Sequence, residues 1–351
     1  MIRSCIKVLG GCHESRLFRA GDAIARASAR KCLGVRTVHT THAISSEANR
    51  QPMDRPPPRR AMLYVPGSDE RKLQKMSTLE VDCAVMDCED GVAVNRKVDA
   101  RRTVSSMLDK LSCPHVRDLA VRVNSVSSGL AEEDLEEVFK ANRLPDTIML
   151  PKVESKEEIQ WFSEHVKSHL SDRPNEKPVR VVIFTETAVG LLHLPQILEE
   201  CKKVSDKSLL FEAVVFGSDD FCASIGATRT ADAYELLYAR QKVVAMAKAF
   251  GMQAIDLVYI DFKDLDGLEK QSLEGNRMGF TGKQVIHPSQ IPVVQKAFSP
   301  SEEQIEWATE LVEAFKKHQE TGKGAFDFKG KMIDMPSVLQ AQNILKLLEK
   351  T

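Results

Sequence analysis

Val214-Val215-Phe216-Gly217-Ser218-Asp219-Asp220-Phe221 is an apolar, partly β-branched run that breaks at a glycine and ends in two acids. Such a run reads as a strand buried on both faces, with Gly217 turning the chain so that Asp219 and Asp220 face outward. One strand earlier, Val181-Val182-Ile183-Phe184-Thr185 makes the same gesture and ends in Glu186. Two neighbouring buried strands that each end in an acid can hold one divalent cation through hard oxygen ligands, with coordination positions left for water and substrate. The same acids could simply cap the helices that follow. The two strands alone leave both readings open.

Working outward, further short apolar runs occupy 61–65, 83–87, 119–123, 147–150, 254–257 and 283–286. Helical spacing falls between them, from Asp69 onward and over 130–141, 155–170, 191–203, 232–250 and 268–278, with Pro195 implying a late start or a kink in the 191–203 helix. Eight strands alternating with helices over roughly 230 residues predict an α/β fold, the TIM (β/α)₈ barrel. An open doubly wound sheet is the rival, but no Gly-x-Gly-x-x-Gly follows the first strand. Barrel chemistry sits at the carboxyl ends of the strands. The chain places Asp87, Glu89, Asp90, Arg122, Lys152, Glu186, Asp219, Asp220 and His287 there. Gly279-Phe280-Thr281-Gly282-Lys283 has a phosphate-loop flavour but the wrong glycine spacing, and Gln284 stands where Ser or Thr is needed, so it reads as a turn into the last strand.

The 351 residues are 42% hydrophobic and 28% charged, with a net charge of -1, an ordinary globular balance with no global field for nucleic acid. No apolar run is long enough to predict a membrane span. Eight cysteines lie scattered without paired zinc spacing and read as reduced thiols. Residues 1–50 carry nine Lys or Arg against three acids, a local charge of +6. An Arg-rich, acid-poor leader of this kind predicts a transit peptide for mitochondrial import, into the matrix. Pro52, Pro56, Pro57 and Pro58 mark 51–60 as a linker, 61–298 as the barrel and 299–351 as a C-terminal helical extension and lid. In that extension, 302–321 and 337–349 read as helices separated by the Gly322-Lys323-Gly324 break and a polar and aromatic segment carrying Asp334. Asp334 read alone is a cap for the last helix.

Leu63-Tyr64-Val65-Pro66-Gly67, Asp87-Cys88-Glu89-Asp90-Gly91-Val92, Val121-Arg122-Val123-Asn124-Ser125, Leu150-Pro151-Lys152-Val153-Glu154, Glu186-Thr187-Ala188, Gly282-Lys283-Gln284-Val285-Ile286-His287-Pro288 and Met332-Ile333-Asp334-Met335-Pro336 together resemble the citrate lyase β-subunit and malyl-CoA lyase family. The likeness spans Arg60 to the C-terminus. It implies a TIM barrel, a homotrimer, Mg²⁺ and cleavage of a carbon–carbon bond in a 3-hydroxyacyl-CoA, and the expected reaction is citramalyl-CoA to acetyl-CoA and pyruvate. By position, Glu186 and Asp220 become the magnesium ligands, Arg122 a contact to the reacting oxygens, and Asp334 an acid or base donated by a neighbouring subunit's lid. Tyr64, Arg71 and Lys75 line the coenzyme A path, with Lys97 and Arg101 as further candidates. The chain departs from many relatives in placing Ser218 before two adjacent acids, which leaves Asp219 as an alternative to Asp220. Lys152 and His287 receive no role.

Two other activities fit the same residues. Condensation of acetyl-CoA with a 2-oxo acid followed by thioester hydrolysis would make the enzyme a malate or methylmalate synthase, a transferase. A barrel lacking activity could instead serve as a subunit of a larger complex, although the acids and the lid Asp334 that such a subunit would lack are present.

Overall fold

The computed structural model describes residues 58–171, 173, 177–319 and 326–348. The leader at 1–50, most of the proline-rich stretch and the Gly322–Gly324 break lie outside the described residues. Eight parallel strands, β1 (Ala61–Pro66), β2 (Cys83–Asp87), β3 (Asp118–Arg122), β4 (Thr147–Leu150), β5 (Val179–Thr185), β6 (Leu209–Phe216), β7 (Gln253–Asp256) and β8 (Gly282–Val285), close into a barrel in which β1 pairs with β8 through Ala61 and Lys283. Helices return the chain after each strand: α1 (Glu70–Lys75), α2 (Lys97–Lys110), α3 (Ala131–Val138), α4 (Lys156–Ser171), α5 (Ala188–Val204), α6 (Ser218–Ile225) with α7 (Leu237–Ala249), α8 (Leu265–Met278) and α9 (Ile291–Ala297). Among the described residues no helix is long and apolar enough to cross a membrane.

The strands are apolar on both faces because both are covered. Met62, Val85, Met149, Val182, Phe184, Val215 and Ile255 fill the barrel interior, while Leu63, Met86, Val121, Ile183 and Val214 face the helices. Arg59 is built into the amino-terminal end of the barrel and is wholly buried. Its Nε meets Asp118, and its Nη2 donates to Thr147 Oγ1 at 3.0 Å and Glu212 Oε2 at 3.3 Å. Burial alone would lower its pKa, but the charges of Asp118 and Glu212 outweigh that and leave it raised. Gly282 is required beside it, since a Cβ there would lie 1.8 Å from the Arg59 carbonyl oxygen.

Several elements differ from expectation. α5 begins at Ala188 and carries Pro195 inside it. Thr187 caps this helix by accepting from Gly190, so the start lies ahead of the proline. The 232–250 stretch is a 3₁₀ turn at Tyr234–Leu236 leading into the shorter α7. α2 and α9 were not anticipated, although Ala100, Val104, Leu108 and Leu111 carry a helical stripe that is buried. Beyond the barrel, α10 (Glu302–Gln319) and α11 (Met335–Leu348) pack on each other, and between them in chain order stands an antiparallel hairpin, β9 (Phe326–Phe328) and β10 (Lys331–Ile333), where an irregular segment was expected. Ala308, Leu311, Phe315, Ile333, Val338 and Ala341 give this extension a small core of its own.

Replacing Arg59 with Met should destabilise the protein by about 3–5 kcal/mol, because Asp118 would stay buried without its counter-charge, while Glu212 keeps Arg180 at 3.3 Å. Urea unfolding checks this, and the double variant Arg59→Met/Asp118→Asn should recover part of the loss.

Candidate active site

A cavity of about 960 Å³ opens at the carboxyl ends of the strands. Tyr64, Asp87, Asp90, Arg122, Phe184, Glu186, Gly217, Asp219, Asp220 and Gln284 line its depth, and Lys72, Lys75, Leu79, Ile260, Ile286 and His287 also contribute to its wall. Glu186 and Asp220 therefore share one compartment. Glu186 ends β5 and folds over the turn after β6, where a Cβ on Gly217 would lie 2.2 Å from Glu186 Oε2. That close approach is why the turn is glycine. Asp219 and Asp220 occupy the first turn of α6 and do not stand on a free loop. Asp219 is paired with Arg229, whereas Asp220 faces Lys152 at 3.6 Å.

Arg122, at the end of β3, is the fixed cation of the site. Its Nε and Nη2 donate to Asp87 at 2.7 and 2.8 Å, and Nη1 lies 2.8 Å from Glu89. The guanidinium carbon stands 4.9 Å from the Tyr64 ring centroid and 5.7 Å from that of Phe184. Burial raises the Asp87 carboxyl, but the adjacent Arg122 charge and hydrogen bonds outweigh it and hold Asp87 below the usual range. Glu186 goes the other way, pushed up to about 8 by burial and then by the neighbouring charges of Glu89 and Asp220. Asp220 is also raised, first by burial, with Lys152 opposing. Two acids on one rim are thus driven apart, one kept charged by its arginine and one short of positive charge.

The other expected site residues divide. Tyr64 and Lys75 line the cavity. Arg71 is exposed and does not line it, and Lys72, its neighbour on α1, does. Lys97 donates to the carbonyls of Cys88 and Glu89 at 2.9 and 2.8 Å, and Arg101 is buried against Asp134 at 3.0 Å and Glu133. Lys97 thus braces the turn after β2 and Arg101 the start of α3, and neither lines the cavity. Asp334 is exposed, accepts from Ser337 N and Oγ at 3.3 and 3.1 Å, and is absent from the cavity lining. Within one subunit it is the cap on α11 that the sequence alone favoured. His287 lies at the cavity wall, stacked on Phe262 at 4.8 Å, beyond the end of β8. Lys72, Ile260 and Ile286 were missed because their only sequence signal is proximity to strand ends. The Gly279–Lys283 turn is no phosphate site, since Lys283 is buried against Gln271 and Asp256.

A closed parallel barrel whose cavity gathers carboxylates and an ion-paired arginine at the strand ends is the arrangement of a barrel enzyme able to hold a cation and to stabilise developing negative charge. Residues 60–288 match the HpcH/HpaI aldolase/citrate lyase family, and the chain belongs to that family. It is a carbon–carbon lyase. Human mitochondrial citramalyl-CoA lyase is 58% identical over 291 residues, covering 83% of this chain and 85% of its own. A (3S)-malyl-CoA thioesterase of Cereibacter sphaeroides is 31% identical over 83% of this chain and 95% of its own. The solved structure of CitE from Mycobacterium tuberculosis in complex with magnesium, acetoacetate and coenzyme A is 29% identical, with a TM-score of 0.66 over 82% of this chain and 97% of that one.

In metal-free protein the Glu186 carboxyl should titrate near pH 8, and Glu89→Gln should move it part of the way back toward the ordinary carboxylate range. Carboxyl-carbon NMR of glutamate-labelled protein measures both values; an unmoved Glu186 would remove Glu89 as a cause.

Proposed function

We propose that this cavity cleaves citramalyl-CoA to acetyl-CoA and pyruvate by a retro-aldol reaction, with Glu186 and Asp220 holding the magnesium ion. The observation that supports the reading best is the raised pKa of Glu186, a buried carboxyl beside two other acids, which marks a place short of one cation. Among the described residues no three or more His, Cys, Asp or Glu side chains converge as a self-sufficient metal site. A pair of carboxylates fits magnesium nevertheless, because this ion takes one or two carboxylates and fills its other positions with water and substrate oxygens. Magnesium is the enzyme's cofactor and the protein is mitochondrial, in agreement with the relatives named above.

Bound there, magnesium polarises the substrate's carboxylate and hydroxyl oxygens and lowers the hydroxyl pKa. Loss of that proton to the Asp334 carboxylate would form the carbonyl of pyruvate as the adjacent carbon–carbon bond breaks, with the bonding pair passing to the thioester as an enolate. Arg122, pinned by Asp87 and Glu89, keeps N–H donors free to neutralise the enolate oxygen in the transition state. Phe184 and Tyr64 shield that charge from water. Asp334 then returns a proton to the enolate carbon, and abstracts it in the reverse direction.

Asp334 lies outside its own cavity, and in the homotrimer that the family resemblance implies each lid serves a neighbour. The exposed apolar side chains of Met332, Met335 and Leu339 around Asp334 support this, because they form a surface suited to burial against another subunit. Lys72 and Lys75 suit the phosphates of coenzyme A at the mouth. The barrel at 61–298 carries the reaction and the extension at 299–351 completes it, behind an import leader at 1–50 and a linker at 51–60.

Asp334→Asn should lower turnover by about 10²–10⁴-fold while leaving magnesium binding intact. Mixed trimers of Asp334→Asn and Arg122→Met chains should regain part of the activity, and no regain would place Asp334 in the service of its own subunit. Because a proton must leave Glu186 before metal binds, magnesium affinity should rise about tenfold per pH unit up to about 8 and level off above it. Calorimetry across pH 6–9 checks the slope. A product balance of pyruvate, acetyl-CoA and free coenzyme A separates cleavage from synthase or thioesterase action.

A further inference from the structure

Lys152 touches more of the acidic rim than any residue given a role so far. It follows β4 with a φ of +53°, in the left-handed region that a side chain disfavours. The turn sends backbone and side chain to different acids. Its N–H donates to Glu186 Oε1 at 2.6 Å, while its ammonium lies 2.7 Å from Glu89 Oε1, 3.1 Å from Asp90 Oδ1 and 3.6 Å from Asp220 Oδ2. One residue therefore links carboxylates delivered by three separate strand ends.

The rim holds more acids than cations. Asp87, Glu89, Asp90, Glu186 and Asp220 face Arg122 and Lys152, and Arg122 is already committed to Asp87 and Glu89. A divalent ion entering without Lys152 would meet Glu89 and Asp90 as well as Glu186 and Asp220. A flexible set of many carboxylate oxygens suits calcium, which takes six to eight oxygens, whereas magnesium keeps few carboxylates and leaves places for substrate.

We propose that Lys152 is a positioning residue that apportions the carboxylates of this rim. Its ammonium keeps Glu89 and Asp90 engaged, so that the metal's protein ligands are restricted to Glu186 and Asp220 and substrate finds open positions. Its left-handed amide holds one oxygen of Glu186 and sets which one faces the metal. The inference rests on the assignment of Glu186 and Asp220 as the magnesium pair.

Titration calorimetry of magnesium and calcium into the full chain, without substrate, tests it. Lys152→Met keeps the span of the side chain and removes its charge. This variant should bind both ions more tightly, by about tenfold or more, with calcium gaining most because ligand number and charge tune its affinity. Turnover at saturating magnesium should fall even though the metal is bound. Lys152→Arg should restore the wild-type order of the two ions. Lys152→Gly relieves the left-handed backbone yet lacks the ammonium, so it should follow Lys152→Met and keep the test open if that variant folds poorly. Unchanged or weaker metal binding in a folded, charge-free variant, or an unchanged magnesium-to-calcium ratio, overturns the proposal. Glu186→Gln must weaken metal binding in protein that retains Lys152. If it does not, the metal pair itself is misassigned, and Lys152's role falls with it.

Discussion

Closure of the barrel through the pairing of β8 with β1 is the constraint on which the site depends. Ala61 opposes Lys283 in that ladder, and Lys283 N donates to the Arg60 carbonyl. The approach is so close that only glycine fits at 282. Closed, the strands leave no edge, and their carboxyl ends form a ring on which Asp87, Arg122, Lys152, Glu186 and Asp220 converge although they come from five different loops. At the opposite end Arg59, Asp118, Thr147 and Glu212, with Arg180 on Glu212, form a largely buried polar plug whose charges offset one another. The polar groups at the two ends differ in purpose. The plug is paired and the rim is left short of positive charge.

That shortage is what makes the rim reactive. Asp87 and Glu186 are the same kind of group in the same cavity, yet Arg122 holds one ionised while burial and like charge oppose ionisation of the other. A site that stores unfavourable electrostatics in the free enzyme gains binding energy when a cation arrives. Arg122 relieves Glu186 only in part, because three of its donors are turned toward Asp87 and Glu89 and burial and like charge outweigh it. Rigid pairing in one place thus preserves imbalance in another.

The extension follows a different logic. Its own apolar cluster holds α10, α11 and the hairpin together, while Met332 and Leu339 remain exposed beside Asp334. Two helices and a hairpin bury little surface by themselves. In the assembly proposed above, another subunit would cover this exposed apolar margin around Asp334.

The strand runs were legible because burial on both faces demands continuous apolar residues, and the acids at their ends were legible because they interrupt those runs. Val214–Phe216 and Val181–Thr185 carried the barrel, and Glu186, Asp219 and Asp220 stood out on the same ground, with Asp220 preferred only through the family resemblance. The family resemblance also marked Lys97 and Arg101; the fold places Lys97 on the carbonyls after β2 and Arg101 against Asp134 of α3. The helix over Lys97–Lys110 was missed even though its stripe was present, since its surface is charged enough to hide the pattern. What no local pattern could express is distance. Whether Asp219 or Asp220 faces the acids turns on Arg229 drawing one of them aside, and the reach of Lys152 to three loops turns on a single left-handed residue. The sequence by itself determined the alternation of elements and the chemistry available at the rim, because both are properties of neighbours along the chain. Only the tertiary structure decided which charges meet, because electrostatic partners are chosen through space by barrel closure.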